Sequence, residues 1–294
     1  MKKNMLLLNT VRGVKKSPGR FVAILIIIAI GCAFYAGLSA VSTDLKNSGW
    51  KYYREYALAD VQIKSTLGFN GDEIEKLSDG EHFDGGYAGY SADLLVENNG
   101  GQSAVTVLSY SPDQPLNKLY LMEGRLPEKA GECVADYDSM HKLSFKIGET
   151  VQLSADGDND VADYLNQSEY TVVGLVKSPV YVSYERGSTT IGTGSVSAFI
   201  YVPEENFAYD AYTDLYLSVT GAMAESVKPF SDEYNDIVAD AEEYAKGMSA
   251  QLLSERSDEI RADADEQIAD AKEKLADGQK KYDDAKKDYD KGLN

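Results

Sequence analysis

Hydrophobic and polar positions divide the chain into three regimes. The first is unbroken hydrocarbon: from Phe21 to Val41, "FVAILIIIAIGCAFYAGLSAV" carries no formal charge over 21 residues. At about 1.5 Å per residue such a helix is roughly 31 Å long, which matches the bilayer hydrocarbon. The second regime, Ala57 to Ser231, alternates apolar and polar positions in short runs, as half-buried strands do. The third, 231–294, is rich in Asp, Glu, Lys and Ala and carries a helical repeat.

The apolar run reads as an uncleaved transmembrane helix. A secretory h-region is about 7–15 residues long with small residues before the cut. A cut after Ala40 would place Leu38 at the −3 position. A cleaved signal and a soluble core helix are the weaker alternatives. Lys2, Lys3, Arg12, Lys15, Lys16 and Arg20 precede the span and no acidic residue does. Basic flanks resist translocation, so the N-terminus is expected in the cytoplasm and the rest of the chain outside the cell membrane. Within "MLLLNTVRGVKKS", Met5, Leu8 and Val11 share one helical face among basic residues. That pattern suits an interfacial helix on anionic membrane lipid, and a disordered basic segment fits it too. After the span, "STDLKNSGWKYYREY" carries Trp50, Tyr52, Tyr53 and Tyr56. These rings fit an interfacial belt, or a stalk packing on the outer domain.

In the strand regime, "ADVQIKST" alternates, and "NGDEIEKLSDG" reads as a turn and a short helix closed by Gly80. "YSADLLVENNGGQSAVTVLSY" reads as two strands around Asn98-Asn99-Gly100-Gly101. "YLMEGRLP", "ECVAD", "ETVQLS", "EYTVVGLVKS", "SAFIYVP" and "TDLYLSVTG" continue the series, with short helical pieces at Tyr137–His141 and "PEENF". Helices this few and this irregular give an α+β fold rather than a doubly wound parallel sheet.

In the last regime, Ile268, Ala271, Leu275, Gly278, Tyr282, Ala285, Tyr289 and Gly292 alternate steps of three and four, a heptad seam. Ile260, Ala264 and Ile268 step by four and four, a local departure. Asp270–Lys274, Asp277–Lys281 and Asp283–Lys287 are i,i+4 pairs in the favourable order. A long coiled-coil helix is expected, and an isolated charged helix is the alternative.

Composition narrows the function. The net charge is −19; with six basic residues before the span, −25 falls after it, which argues against nucleic-acid binding. Cys32 lies in the span and Cys133 far outside it, so no disulfide framework is expected. His82 and His141 are the only histidines, which makes a zinc site improbable. In "ERGSTTIGTGS", residues 185–195, Gly187 and Gly192 have the wrong spacing for a phosphate cradle and no Lys follows. In "DGDNDVADYLNQ", residues 156–167, Asp156, Asp158 and Asp160 begin like a calcium loop. Val161 and Gln167 stand where Gly and Glu belong. No nucleophile motif is present, so no catalytic, cofactor or metal residue is assigned and the chain is not expected to be an enzyme.

With these segments in hand, the run "KKSPGRFVAILIIIAIG…FYAGL" resembles the first span of FtsX-like and MacB-like ABC transporter permeases. "YLMEGRLPEKAGECVAD", "FKIGETVQL", "YTVVGLVKSP" and "AFIYVPEENF" are similar to successive parts of that family's extracytoplasmic core domain, over about residues 8–230. The charged coil resembles the insertion of large permeases from anaerobic Gram-positive bacteria. The resemblance implies a porter-like βαβ module interrupted by a smaller, strand-rich insert. It also implies an ABC ATPase partner in the cytoplasm and a second permease half or homodimer. The expected partition is a basic segment 1–20, a span 21–43, a stalk 44–56, a core domain 57–230 and a coil 231–294. The family needs several spans per half-transporter, so the chain is expected to be the N-terminal portion of a longer permease. Two further readings are a regulator whose coil recruits an extracellular protein, such as a cell-wall hydrolase, and a surface adhesin.

Overall fold

The computed structural model describes residues 3–78, 80–98, 101–137, 143–224, 226–228 and 230–292. The turn residues Asn99 and Gly100 and most of the helical piece expected at Tyr137–His141 lie outside them.

Two helices lead. α1 (Lys3–Lys16) ends on Lys15 and Lys16, where cations favour a helix C-terminus. Ser17 separates it from α2 (Pro18–Glu55), a single 38-residue helix with Pro18 at its first turn, where the missing N–H costs nothing. Its apolar window has a mean hydropathy of 2.6, and it is the one helix among the described residues long and apolar enough to cross a membrane. The span and the stalk are therefore one continuous rod.

A three-stranded sheet follows, ordered β1–β10–β2. β1 (Val61–Phe69) leads through α3 (Gly71–Leu77) to β2 (Phe83–Gly89), and β10 (Tyr212–Val219) lies antiparallel between them. This is a split βαβ unit, the expected module. α3 is set by a capping box: Glu73 N donates to Asn70 Oδ1 at 2.9 Å and Asn70 N to Glu73 Oε2 at 2.8 Å. The helix ends at Leu77 on Ser78, three residues before the expected Gly80. Alternation in "TDLYLSV" sends Leu215 and Leu217 to one face, fully buried with Val61, Leu77 and Phe83. Asp214 and Tyr216 point to the other face. Each such leucine contributes about 1.5–3 kcal/mol by leaving water.

Between β2 and β10 the chain builds the insert. Its strands are β3 (Ser91–Asn98), β4 (Gly101–Tyr110), β5 (Tyr120–Gly124), β6 (Glu132–Asp136), β7 (Thr150–Ser154), β8 (Glu169–Lys177) and β9 (Val196–Pro203). Their order is β5–β8–β6–β9–β4–β3–β7, and β7 also pairs with β8. That second pairing closes six of the seven strands into a small barrel and removes their free edges. β4–β9 and β6–β8 are parallel, and the other pairings antiparallel. Leu94, Val105, Val107, Cys133, Val172 and Ile200 share its interior core. The insert was expected to be the smaller part. With seven strands against three it is the larger sheet, because closing a barrel takes more strands than covering a helix pair. The "PEENF" piece is a single 3-10 turn, Glu204–Asn206.

α4 runs unbroken over Asp232–Gly292. Its first part, through Leu252, packs on the module rather than standing in water. Tyr234, Ile237, Val238, Ala241, Tyr244, Ala245, Met248 and Leu252 pack into the module core. Arg256 meets Glu73 at 3.3 Å and Lys76 meets Glu255 at 3.4 Å, fixing α4 to α3. Beyond these contacts the helix stands free. Of the expected i,i+4 pairs, Asp270–Lys274 and Asp277–Lys281 form no ion pair. Exposed pairs gain little Coulomb energy and lose side-chain entropy. The side chains of Asp283 and Lys287 lie outside the described residues.

Candidate functional site: the stalk junction

The site of interest is where α2 meets the body. Trp50 is the buried residue of α2, 7% exposed. Its ring stands edge-on to Phe230 at 5.8 Å and to Tyr234 at 5.1 Å, both at the start of α4. Tyr53 also faces Phe230, at 6.2 Å. One turn on, Tyr56 lies 5.3 Å from Tyr120 of β5. The same rod therefore grips the module through Trp50 and the insert through Tyr56. Edge-to-face pairs add about 0.5–1.5 kcal/mol each beyond their buried area. The aromatic segment sits here as a packed stalk, one of its two open readings.

The backbone clamps the junction. Asn117 N donates to Ala57 O at 2.7 Å and Lys118 N to Tyr56 O at 2.8 Å. Asn117 Oδ1 accepts from Ala59 N at 2.9 Å. Buried Gln114 donates to the carbonyls of Leu116 and Asn117, holding that loop in place. Asp60 ties a third element: Oδ2 accepts from Val219 N and Oδ1 from the Tyr234 hydroxyl, each at 2.9 Å. Burial raises the Asp60 pKa above the usual carboxylate range and the nearby charge of Asp84 adds to it, against the lowering by its two hydrogen bonds.

Strain gathers at the same place. Among the described residues, the non-glycine positions with positive φ are Ala57 (47°), Asn117 (53°) and Phe230 (51°). All three belong to the junction. Left-handed backbone costs an L-residue roughly 1–2 kcal/mol, and Asn bears it best. Ala57 and Phe230 keep it because the clamp and the Trp50 contact hold them there.

A cleft of about 560 Å³ opens beside the stalk, between Tyr52 and the segment 178–186. Its floor carries a buried pair that the pattern of the chain did not single out. Arg186 Nε lies 2.6 Å from Asp136 Oδ2, and Nη2 lies 3.1 Å from Oδ1. Nη1 donates to the carbonyls of Tyr181 and Ser183, and the guanidinium stacks 5.5 Å over Phe199. Arg186 thereby pins the loop after β8 to β6. One signal was available. Arg125 and Arg186 are the only arginines from 57 to 230, and both fork onto a carboxylate.

Arg125 explains one stretch that carried the resemblance. It grips Glu132 through both Nη atoms, closing the loop between β5 and β6. That fork holds the Glu132 carboxyl down at about 2. Gly124 (φ 78°) and Gly174 face each other across β5–β8. A Cβ on Gly124 would come within 2.3 Å of Val173 O, and one on Gly174 within 2.3 Å of Arg125 O. "EGR" and "VVGL" are thus two halves of one close backbone contact.

The other flagged segments are local structure. In 185–195, Ser188 bridges Ser195 and Val196 N donates to Gly187 O, so the glycines turn a hairpin. In 156–167, Asp160 caps a 3-10 turn at Ala162 N and Asp163 answers it. Cys32 and Cys133 are unpaired; Cys133 is buried inside the barrel, with its thiol pushed up to about 12 chiefly by burial.

A helix fit to span a membrane, leading into a split βαβ module with a strand-rich insert, defines a membrane-anchored α+β domain. The family described as the MacB-like periplasmic core domain matches residues 21–275, and the chain belongs to that family of MacB/FtsX-like ABC transporter permeases. Among solved structures it is similar to the extracellular domain of the noncanonic ABC-type transporter YknZ from Gram-positive bacteria. The identity is 13% over 54% of this chain and 76% of that one, with a TM-score of 0.33. It is also similar to the periplasmic region of MacB from Actinobacillus actinomycetemcomitans, at 12% identity over 65% of this chain and 75% of that one, with a TM-score of 0.33. No curated protein matches the chain.

Proposed function

We propose that the chain is the N-terminal part of an ABC permease in which ATP hydrolysis by a cytoplasmic partner moves α2, and α2 moves the outside domain. The observation that carries this reading is the junction. Three strained non-glycine residues lie where one rod grips both the module and the insert. Strain held at a joint is a stored bias that a small rotation of α2 can release. The N-terminus lies in the cytoplasm, as the six basic residues before the span favour. The permease works with an ABC ATPase and with a second permease half or a second copy, in contact with membrane lipid. The working partition is a basic segment 1–20, a span 21–43, a stalk 44–56 and the outside domain from 57. The free coil begins past Arg256. No residue is assigned to catalysis, to a cofactor or to a metal.

The orientation is tested by single cysteines in a Cys32→Ser/Cys133→Ala background. A cysteine at Glu97 should react with an impermeant thiol reagent on intact cells and one at Lys3 should not; the reverse pattern contradicts the proposal. Coupling is tested in nanodiscs with the ATPase bound. Trp50→Ala should lower permease-dependent ATP hydrolysis several-fold while nucleotide binding is unchanged. An unaltered rate would remove the junction from the mechanism. The free part of α4 favours a second reading, a regulator that works a partner outside the cell without transport.

A further inference from the structure

Past Arg256, α4 leaves the body with its apolar seam in water. Ile260, Ile268, Leu275 and Tyr282 are 48, 50, 73 and 63% exposed. At about 100° per residue they fall in one stripe with Ala264, Ala271 and Gly278. The residues on either side of that stripe, from 267 to 281, are Gln267, Lys272, Lys274, Gln279 and Lys281. No carboxylate is among them, in a protein of net charge −19. The acids of the same stretch, Asp270, Glu273 and Asp277, all lie towards the far side of the helix. Lys272, Lys274 and Lys281 make no ion pair among the described residues.

We infer that the seam docks an amphipathic helix of different sequence whose own flanking positions are acidic. Three physical arguments select that occupant. Flanking residues in a coiled coil meet those of the partner and choose it by charge. The lysines here therefore call for Glu or Asp across the seam. A second copy would place Lys or Gln against Lys in either orientation. In parallel it would also stack Ala271 on Ala271 and Gly278 on Gly278, leaving layers unfilled. Small layers alternating with Ile268, Leu275 and Tyr282 instead admit large side chains from a helix of complementary alternation. An anionic lipid surface would attract the lysines, but it would repel a chain of net charge −19 and would gain little apolar burial from the Ala271 and Gly278 layers. The inference does not depend on the orientation or on the coupling proposed above.

The test uses the full chain in nanodiscs and two labelled four-heptad peptides. Both carry Leu in the core, one with Glu and the other with Lys at every flanking position. The Glu-flanked peptide should bind at least about tenfold tighter at low salt, about 1.4 kcal/mol, and the gap should close in molar salt. Lys272→Glu/Lys274→Glu/Lys281→Glu should invert the preference and leave the helical circular dichroism signal unchanged. Equal binding of the two peptides would overturn the inference. So would self-association that Leu275→Asp abolishes, or adsorption of α4 to phosphatidylglycerol vesicles that the Glu-flanked peptide does not displace.

Discussion

Ala57 has a φ of 47° and lies at the point where the rod enters the body. Glycine bears that conformation at little steric cost, whereas alanine does not. Ala57→Gly is therefore expected to stabilise the folded protein, by up to about 1 kcal/mol in denaturant unfolding, and at the same time to loosen the joint. A loss of stability would show that the residue is not strained. Asp60 sets a pH dependence. Its pKa is raised in the fold, so the stability it contributes is present below the ordinary carboxylate range and is lost as pH rises through the raised value. Asp60→Asn should flatten that part of the stability-against-pH curve. Glu132 acts in the opposite sense. Its contribution is present above its ordinary pKa and fades as pH falls towards about 2. Arg186 is the residue whose loss matters most for the loop after β8. Arg186→Ala takes the guanidinium away from the buried Asp136 carboxyl and should cost about 3–5 kcal/mol in chemical denaturation. Replacing both partners with apolar residues should cost much less.

The elements were legible to different degrees, for physical reasons. The α2 span follows from an absence of charge, which is local and unambiguous. β1, β8 and β10 follow from alternation, because each presents one face to a core. Barrel closure through β7 left no trace in any one segment. It depends on Thr150–Ser154 meeting two strands at once, and pairing partners are not written in a strand's own pattern. The Asp136–Arg186 pair spans 50 positions and is hidden for the same reason. The start of α4 is written in its own spacing. Ile237, Ala241, Tyr244, Ala245, Met248 and Leu252 recur at helical spacing, and they form the stripe that packs on the module. The stalk aromatics were visible, but the choice between a membrane belt and a packed joint required Phe230, Tyr234 and Tyr120, which come from far along the chain.

At the scale of the whole molecule, one rod connects a membrane to two bodies at a strained joint. In the proposed coupling, a small rotation of α2 would act on α4 through Trp50 and on β5 through Tyr56. The separate grips make the motion of the module relative to the insert the quantity to follow. The most direct measurement is the distance between spin labels at Glu75 on α3 of the module and Glu97 on the insert, in the full permease with its ATPase in nanodiscs. The account predicts a distribution that shifts when hydrolysis is trapped with ATP and vanadate, and that stays fixed in Trp50→Ala under the same trap. A distribution that does not respond to nucleotide in the unmodified protein would contradict it.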